Sequence, residues 1–246
     1  MEEITQRQIE VLKAIIQEYT ESGEPVGSEI LEKKYKLGVS PATVRNEMVQ
    51  LAKKGYLKKA HFSSGRIPSP KGFRFYISKL MKEKELSTAD EVSYKNSIWD
   101  DRNETHKLLS TATKVLADKT GLISVVATNE GEVYFSGLSN MCRIQEFINR
   151  ELERHLFERL EELAYWERLL IQLGKTEEEI FFLLGDEENI DPVYESCASV
   201  FSDFKGETVR GIIGIVGPKH MKYDFIAPQI KYFSSLIEQI VKSQGL

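Results

Sequence analysis

The sequence predicts an α+β chain: a small N-terminal winged helix-turn-helix domain over residues 1–82, a polar linker over 83–100 and a larger α+β domain over 101–246. Three observations predict it. Residues 26–57, VGSEILEKKYKLGVSPATVRNEMVQLAKKGYL, place two short helical patterns back to back with a polar turn between them. Charge divides sharply, since residues 1–86 hold 16 Lys and Arg against 11 Asp and Glu, whereas the remaining 160 hold 17 against 27. Beyond residue 100, Val- and Ile-rich runs alternate with amphipathic helical ones, the pattern of strands flanked by helices.

In TQRQIEVLKAIIQEYTESGEP, Ile9, Leu12, Ile16 and Tyr19 recur on one helical face, and Gly23 with Pro25 ends the pattern. Ser28 reads as the cap of a second, short helix with Ile30, Leu31 and Tyr35 apolar, and Leu37-Gly38-Val39 as a turn. Ser40-Pro41 is a strong start for a third helix, because the Ser hydroxyl can accept a free backbone N–H and Pro at the first helical position sacrifices no hydrogen bond. Val44, Met48 and Leu51 make its inward stripe, which turns Ala42, Thr43, Arg45, Asn46 and Gln50 outward. YLKKAHFSSGRIPS then reads as strand, Ser-Ser-Gly turn and strand, a hairpin wing carrying Lys58, Lys59, His61 and Arg66. Ser69-Pro70 opens a further helix as far as about Leu80.

Residues 40–74 concentrate the positive charge, with Arg45, Lys53, Lys54, Lys58, Lys59, Arg66, Lys71 and Arg74 against the single acid Glu47. A helix-turn-helix accounts for that arrangement, since its second helix enters the DNA major groove with N-terminal residues against base edges. Arg45 can bond a guanine bidentately, Asn46 and Gln50 an adenine, and the methyls of Ala42 and Thr43 can meet that of thymine. The wing cations, with Lys71 and Arg74, would hold phosphates and fix position without reading sequence.

In the second domain, DRNETHKLLSTATKVLADKTG is an amphipathic helix, and LISVVAT and VYFSGL are strands around NEGE. From Arg143 to Leu173 a long helical stretch carries Ile144, Ile148, Leu152, Leu156, Leu160, Leu163 and Leu170, with a possible break near Asn149. EEIFFLLG, CASVFSDF and VRGIIGIVGP supply three more strands and YDFIAPQIKYFSSLIEQIVKS a final helix, an arrangement of the GAF-like sort. Gly211, Gly214 and Gly217 punctuate a strand and match no phosphate-loop spacing, and His106, His155 and His220 lie in no HExxH or carboxylate pairing. An enzyme, a metal site and a cofactor are therefore not expected. Cys142 and Cys197 fit buried thiols of a reduced compartment, and Trp99 and Trp166 core or interface positions. No apolar run approaches the roughly 20 residues of a membrane span and the start is acidic, so the expected location is cytoplasmic with no membrane partner.

The stretch RQIEVLKAIIQEYTESGEPVGSEILEKKYKLGVSPATVRNEMVQLAKKGYLKKAHFSSGRIPSPKGFRFYI resembles the N-terminus of the heat-inducible transcription repressor HrcA family, above all in GEPVGS, VSPATVRNEM and SSGRIPSPKGFRFY. The similarity runs unbroken from about residue 5 to 80, and GLSN at 137–140 with GIIGIVGPKHMKYD at 211–224 is similar to the family's GAF-like regulatory domain. The resemblance implies a repressor that binds an inverted-repeat operator ahead of chaperone genes through Thr43, Arg45, Asn46, His61 and Arg66, supported by the chaperonin GroEL. It also implies a dimerisation insert between ISVVAT and GLSN, which this chain replaces with NEGEVYFS alone. A homodimer is still expected, because an inverted repeat calls for two recognition helices about 34 Å apart. Two rivals stand beside this reading. One is a winged helix that binds protein or any nucleic acid, and the other a ligand-responsive regulator of other genes.

Overall fold

A computed structural model describes residues 4–60, 65–144, 147, 149–174, 178–185 and 197–245. These fall into two compact units, one running to Lys82 and including His220–Lys222, the other holding Glu83–Lys219 and the chain from Tyr223 onward.

The first unit holds three helices, a hairpin and a fourth helix: α1 (Gln6–Ser22), α2 (Ser28–Tyr35), α3 (Pro41–Lys53), β1 (Leu57–Lys59), β2 (Arg66–Pro68) and α4 (Pro70–Lys79). A capping box starts α1, in which Thr5 Oγ1 accepts from the Gln8 N–H while Gln8 Oε1 accepts from the Thr5 N–H. Gly23, at φ 70°, ends it. The inward face of α1 is wider than a single stripe, burying Val11, Leu12, Ala14, Ile15 and Ile16. Leu31 of α2 and Val44, Met48 and Leu51 of α3 complete that core. Glu18 is buried among them and accepts both Lys34 Nζ, at 2.9 Å, and Tyr35 Oη, at 3.1 Å, so α2 is pinned to α1 by a carboxylate whose lone pairs are used. Burial, and then that carboxylate, pushes the Tyr35 phenol up, so it stays a donor at neutral pH. Glu18→Ala would leave the half-buried Tyr35 hydroxyl without its acceptor, and an expected loss of about 1 kcal/mol is checked by chemical denaturation.

The second unit is a five-stranded antiparallel sheet in the order β4-β3-β7-β6-β5. Its strands are β3 (Ile123–Thr128), β4 (Val133–Ser136), β5 (Phe181–Leu183), β6 (Cys197–Lys205) and β7 (Arg210–Pro218). One face carries Ile123, Val125, Ala127, Phe201, Ile212 and Val216 under α7 (Leu138–Met141), α8 (Arg150–Glu161) and α9 (Leu163–Leu173). The other lies under α6 (Thr105–Thr120) and α10 (Tyr223–Ser243). With both faces covered, β3 and β7 read as near-continuous apolar runs rather than as alternation.

Three expectations need correction. The stretch 83–100 carries α5 (Thr88–Trp99), which buries Tyr94 and Ile98; the Tyr94 ring lies 5.1 Å from that of Phe233, and its polar composition describes only the outer face. Ahead of α5, Pro228 inside α10 leaves the Asp224 carbonyl without its helical donor, and the Lys84 N–H takes its place at 2.9 Å. The long helical stretch from Arg143 is two helices, α8 capped by Asn149 and α9 starting after Glu162, whose ψ of 92° is not helical; Ile148 lies outside the described residues. Cys142 is exposed while Cys197 is buried. Trp166 is a core residue 6.0 Å from Phe201, and Trp99 is 41% exposed.

Candidate nucleic-acid interface

The recognition element is α3, and its start is built as its sequence requires. Ser40 is the cap, its Oγ accepting the Thr43 N–H at 3.3 Å, and Pro41 follows inside the first turn. The Thr43 hydroxyl also lies 3.1 Å from Ser40 Oγ, and Thr43 is half-buried. Ser40→Ala should cost about 1 kcal/mol of stability, read as a shift in the urea midpoint at unchanged slope. Ser28, by contrast, is the first residue of α2 and not its cap; Gly27 holds that place and no side chain caps the helix. The turn between α2 and α3 uses two left-handed residues, Lys36 at φ 46° and Gly38 at φ 69°.

With Val44, Met48 and Leu51 facing inward, Ala42, Arg45, Asn46 and Gln50 are exposed along the opposite side. Glu47, the single acid between residues 40 and 74, is turned away from them: Gln8 Nε2 donates to its Oε2 at 3.1 Å, and Gln8 Oε1 accepts Lys54 Nζ at 3.2 Å. Gln8 is buried on α1, so one amide both fixes the tilt of α3 and removes the acid from the outward face. The sequence pattern alone does not reveal that role, because a glutamine on the inner side of α1 breaks the apolar stripe without announcing a partner.

The wing is set by close backbone approaches. Lys59 pairs with Arg66 in the β1–β2 register, and Arg66 also exchanges both backbone hydrogen bonds with Val26 at 2.9 Å. Lys58 and Lys59 are exposed on β1. Arg66 is half-buried, with Nη1 donating to the Gly65 carbonyl at 3.3 Å, so its guanidinium lies partly along the wing's base. His61 lies outside the described residues, with Ser63 and Ser64 of the turn. Lys71 is committed locally: its ammonium donates to the Lys54 carbonyl at 2.8 Å and sits 4.4 Å over the Tyr56 ring, satisfying the C-terminal end of α3. Arg74 is exposed on α4. Ser69 ties these parts together, donating to the Gly55 carbonyl at 2.6 Å and capping α4 through the Gly72 N–H at 3.0 Å. Gly72 is obligatory there, since a Cβ would stand 2.3 Å from the Tyr56 carbonyl oxygen.

The structure thus brings Ala42, Arg45, Asn46 and Gln50 onto one exposed face, with Lys58 and Lys59 exposed on the wing, and gives Ser40 and Lys71 structural work. A winged helix with such a face, joined in one chain to an α+β domain, is the arrangement of a DNA-binding transcription regulator.

The family model described as the HrcA protein C-terminal domain matches residues 43–226. The chain belongs to the HrcA family, that of the heat-inducible transcription repressors. The repressor of that name from Acetivibrio thermocellus is 26% identical over an alignment of 339 positions that covers 97% of each chain. About 100 of those positions, the difference between 339 and 97% of 246 residues, have no counterpart here. The Clostridium tetani repressor is 47% identical over 125 residues, half of this chain but 36% of that relative, and the Carboxydothermus hydrogenoformans one 43% identical over 127 residues, 37% of its length. A crystal structure described as a hypothetical protein shares the fold, with a TM-score of 0.76 at 19% identity over 98% of this chain and 99% of that one. None of the described helices is long and apolar enough to cross a membrane.

Proposed function

We propose that this chain represses chaperone genes from the cytoplasm by holding an inverted-repeat operator as a homodimer, one α3 in the major groove of each half-site. The winged helix of residues 1–82 carries the DNA contact. The domain of residues 101–246 carries regulation, with the chaperonin GroEL as the partner that supports the active form. The observation that carries the reading is the outward face of α3, where Arg45, Asn46 and Gln50 are exposed and the neighbouring acid Glu47 is held against Gln8. Ala42, Thr43, Arg45, Asn46 and Gln50 are assigned to base edges. Lys58, Lys59, His61, Arg66 and Arg74 are assigned to phosphates, while Ser28, Ser40 and Lys71 shape the contact surface around them.

The test is fluorescence anisotropy on the inverted repeat upstream of the host's chaperonin genes, beside a scrambled duplex, with salt stepped from low to physiological. A preference of roughly a thousandfold for the repeat is expected. Log K should fall with log salt at about −0.9 per phosphate contact on both duplexes. Equal, steeply salt-sensitive binding to both would overturn the operator assignment. Adding GroEL to a partly active preparation is expected to raise the fraction that binds the repeat, and no change would remove the chaperonin from the scheme.

A further inference from the structure

The outer face of α8 carries a pattern that the interior does not use. Leu152, Leu156 and Leu160 already seal its inner face, each no more than 7% exposed. The opposite line, at i, i+4, i+7 and i+11, reads Arg150, Arg154, Phe157 and Glu161, all exposed. A phenylalanine 41% exposed sits between a basic half and an acidic end. On the next helix, Leu163 is 50% and Ile171 62% exposed. A single exposed apolar side chain needs no explanation by its area alone; Phe157 is set apart by the ordered charges on either side of it. The exposed Trp99 of α5 is different, because its ring is flanked by the chain's own Lys95 and Arg102 at 5.0 and 5.1 Å.

We infer that this face of α8 is where a second copy of the chain docks, antiparallel across a two-fold axis beside Phe157. The inference rests on the two-copy operator reading above and supplies its contact. The order of charge selects both occupant and direction. Arg154 and Glu161 lie equally far on either side of the midpoint between Phe157 and Glu158, so a two-fold axis there sets each Arg154 against the other copy's Glu161, twice over. A parallel pairing would set Arg on Arg and Glu on Glu. The two Phe157 rings meet near the axis, so the apolar centre of the contact is flanked on both sides by an Arg154–Glu161 pair. Arg154 now pairs with Glu158 one turn on, an exposed bond that an intermolecular partner can replace at small cost.

Sedimentation velocity of the full chain at micromolar concentration tests this. The wild type is expected to be a dimer. Phe157→Asp should weaken the dimer at least tenfold, as should Arg154→Glu and Glu161→Arg singly. The double reversal, Arg154→Glu with Glu161→Arg, should return to within a few-fold of wild type, because it rebuilds the same pairs with signs exchanged. All three positions are exposed, so each variant should keep the far-UV spectrum of wild type, and Phe157→Asp should bind an isolated half-site duplex as well as wild type while losing affinity for the full repeat. A dimer that persists in Phe157→Asp, a double reversal no better than the single variants, or a wild type that stays monomeric even on the repeat would each overturn the interface. A dimer that obeys the reversal pattern yet shows no preference for the repeat would leave the interface standing and remove the operator reading instead.

Discussion

Replacing Arg45 by alanine is expected to cost about 1–3 kcal/mol on the operator, a loss of about 5- to 150-fold, and to relax the base preference at one position of each half-site. Arg45 stands on the exposed side of α3, one turn beyond the Ser40 cap, where a major-groove helix meets base edges. Its guanidinium has no acid on its own face, since Glu47 is taken by Gln8, so the fork is available for a guanine. Lys59→Ala makes the contrasting variant. Lys59 is exposed on the wing, and its loss should weaken every duplex alike and reduce the salt slope by about one. Anisotropy titrations on the operator, on single-base variants of it and on a scrambled duplex separate the two. Equal loss of discrimination in both variants would refute the division between reading and holding.

The second large effect lies in the regulatory domain. Gly214→Ala should destabilise it by about 3 kcal/mol or more, at the upper end of what overpacking costs. A Cβ at that position would stand 2.2 Å from the Val200 carbonyl oxygen and 2.2 Å from Phe201 Cδ1. The first of these is backbone in the paired strand β6, with Phe201 directly opposite Gly214, so β6 and β7 would have to part. Phe201 cannot swing aside, being fully buried and packed on Trp166. A fall in melting temperature of about 6–12 °C is expected for a chain of this size. Gly27→Ala serves as the control, with φ −98° and open space around it, and should change stability by less than about 1 kcal/mol. A Gly214→Ala chain that melts like wild type would show that the strands have room the geometry denies.

The glycines of β7 illustrate what sequence reading reached and what it did not. Their spacing excludes a phosphate loop, and in the structure they are strand residues. Their reason is cross-strand, since Gly211 makes way for Phe204 and Gly214 for Phe201, and which ring lies opposite which glycine is set by the β6–β7 register rather than by the spacing within β7. The same limit applies to α5. Its composition is polar, and only the packing of Tyr94 on Phe233 and of Ile98 into the core turns a stretch resembling a linker into a helix of the second unit. Glu162 is a third case: a continuous run of helix-forming residues gives no local signal that ψ will leave the helical range there.

What the sequence by itself determined is everything governed by interactions within about one helical turn or one hairpin. Those are the Ser40-Pro41 start, the inward stripe of Val44, Met48 and Leu51 and therefore the outward face of α3, the strand-turn-strand wing, and the excess of positive charge around them. Side-chain periodicity and capping are local, so they survive in one dimension. The tertiary structure alone decided which cations are engaged by the fold itself, Lys71 closing the end of α3 and Lys54 held by Gln8, because those bonds join residues 17 and 46 positions apart. It also decided that the acid on the recognition helix faces inward, and that the outer face of α8 is left with a phenylalanine and an ordered line of charge once the inner face is full. Burial is a property of the whole assembly of elements, and no single element's sequence contains it.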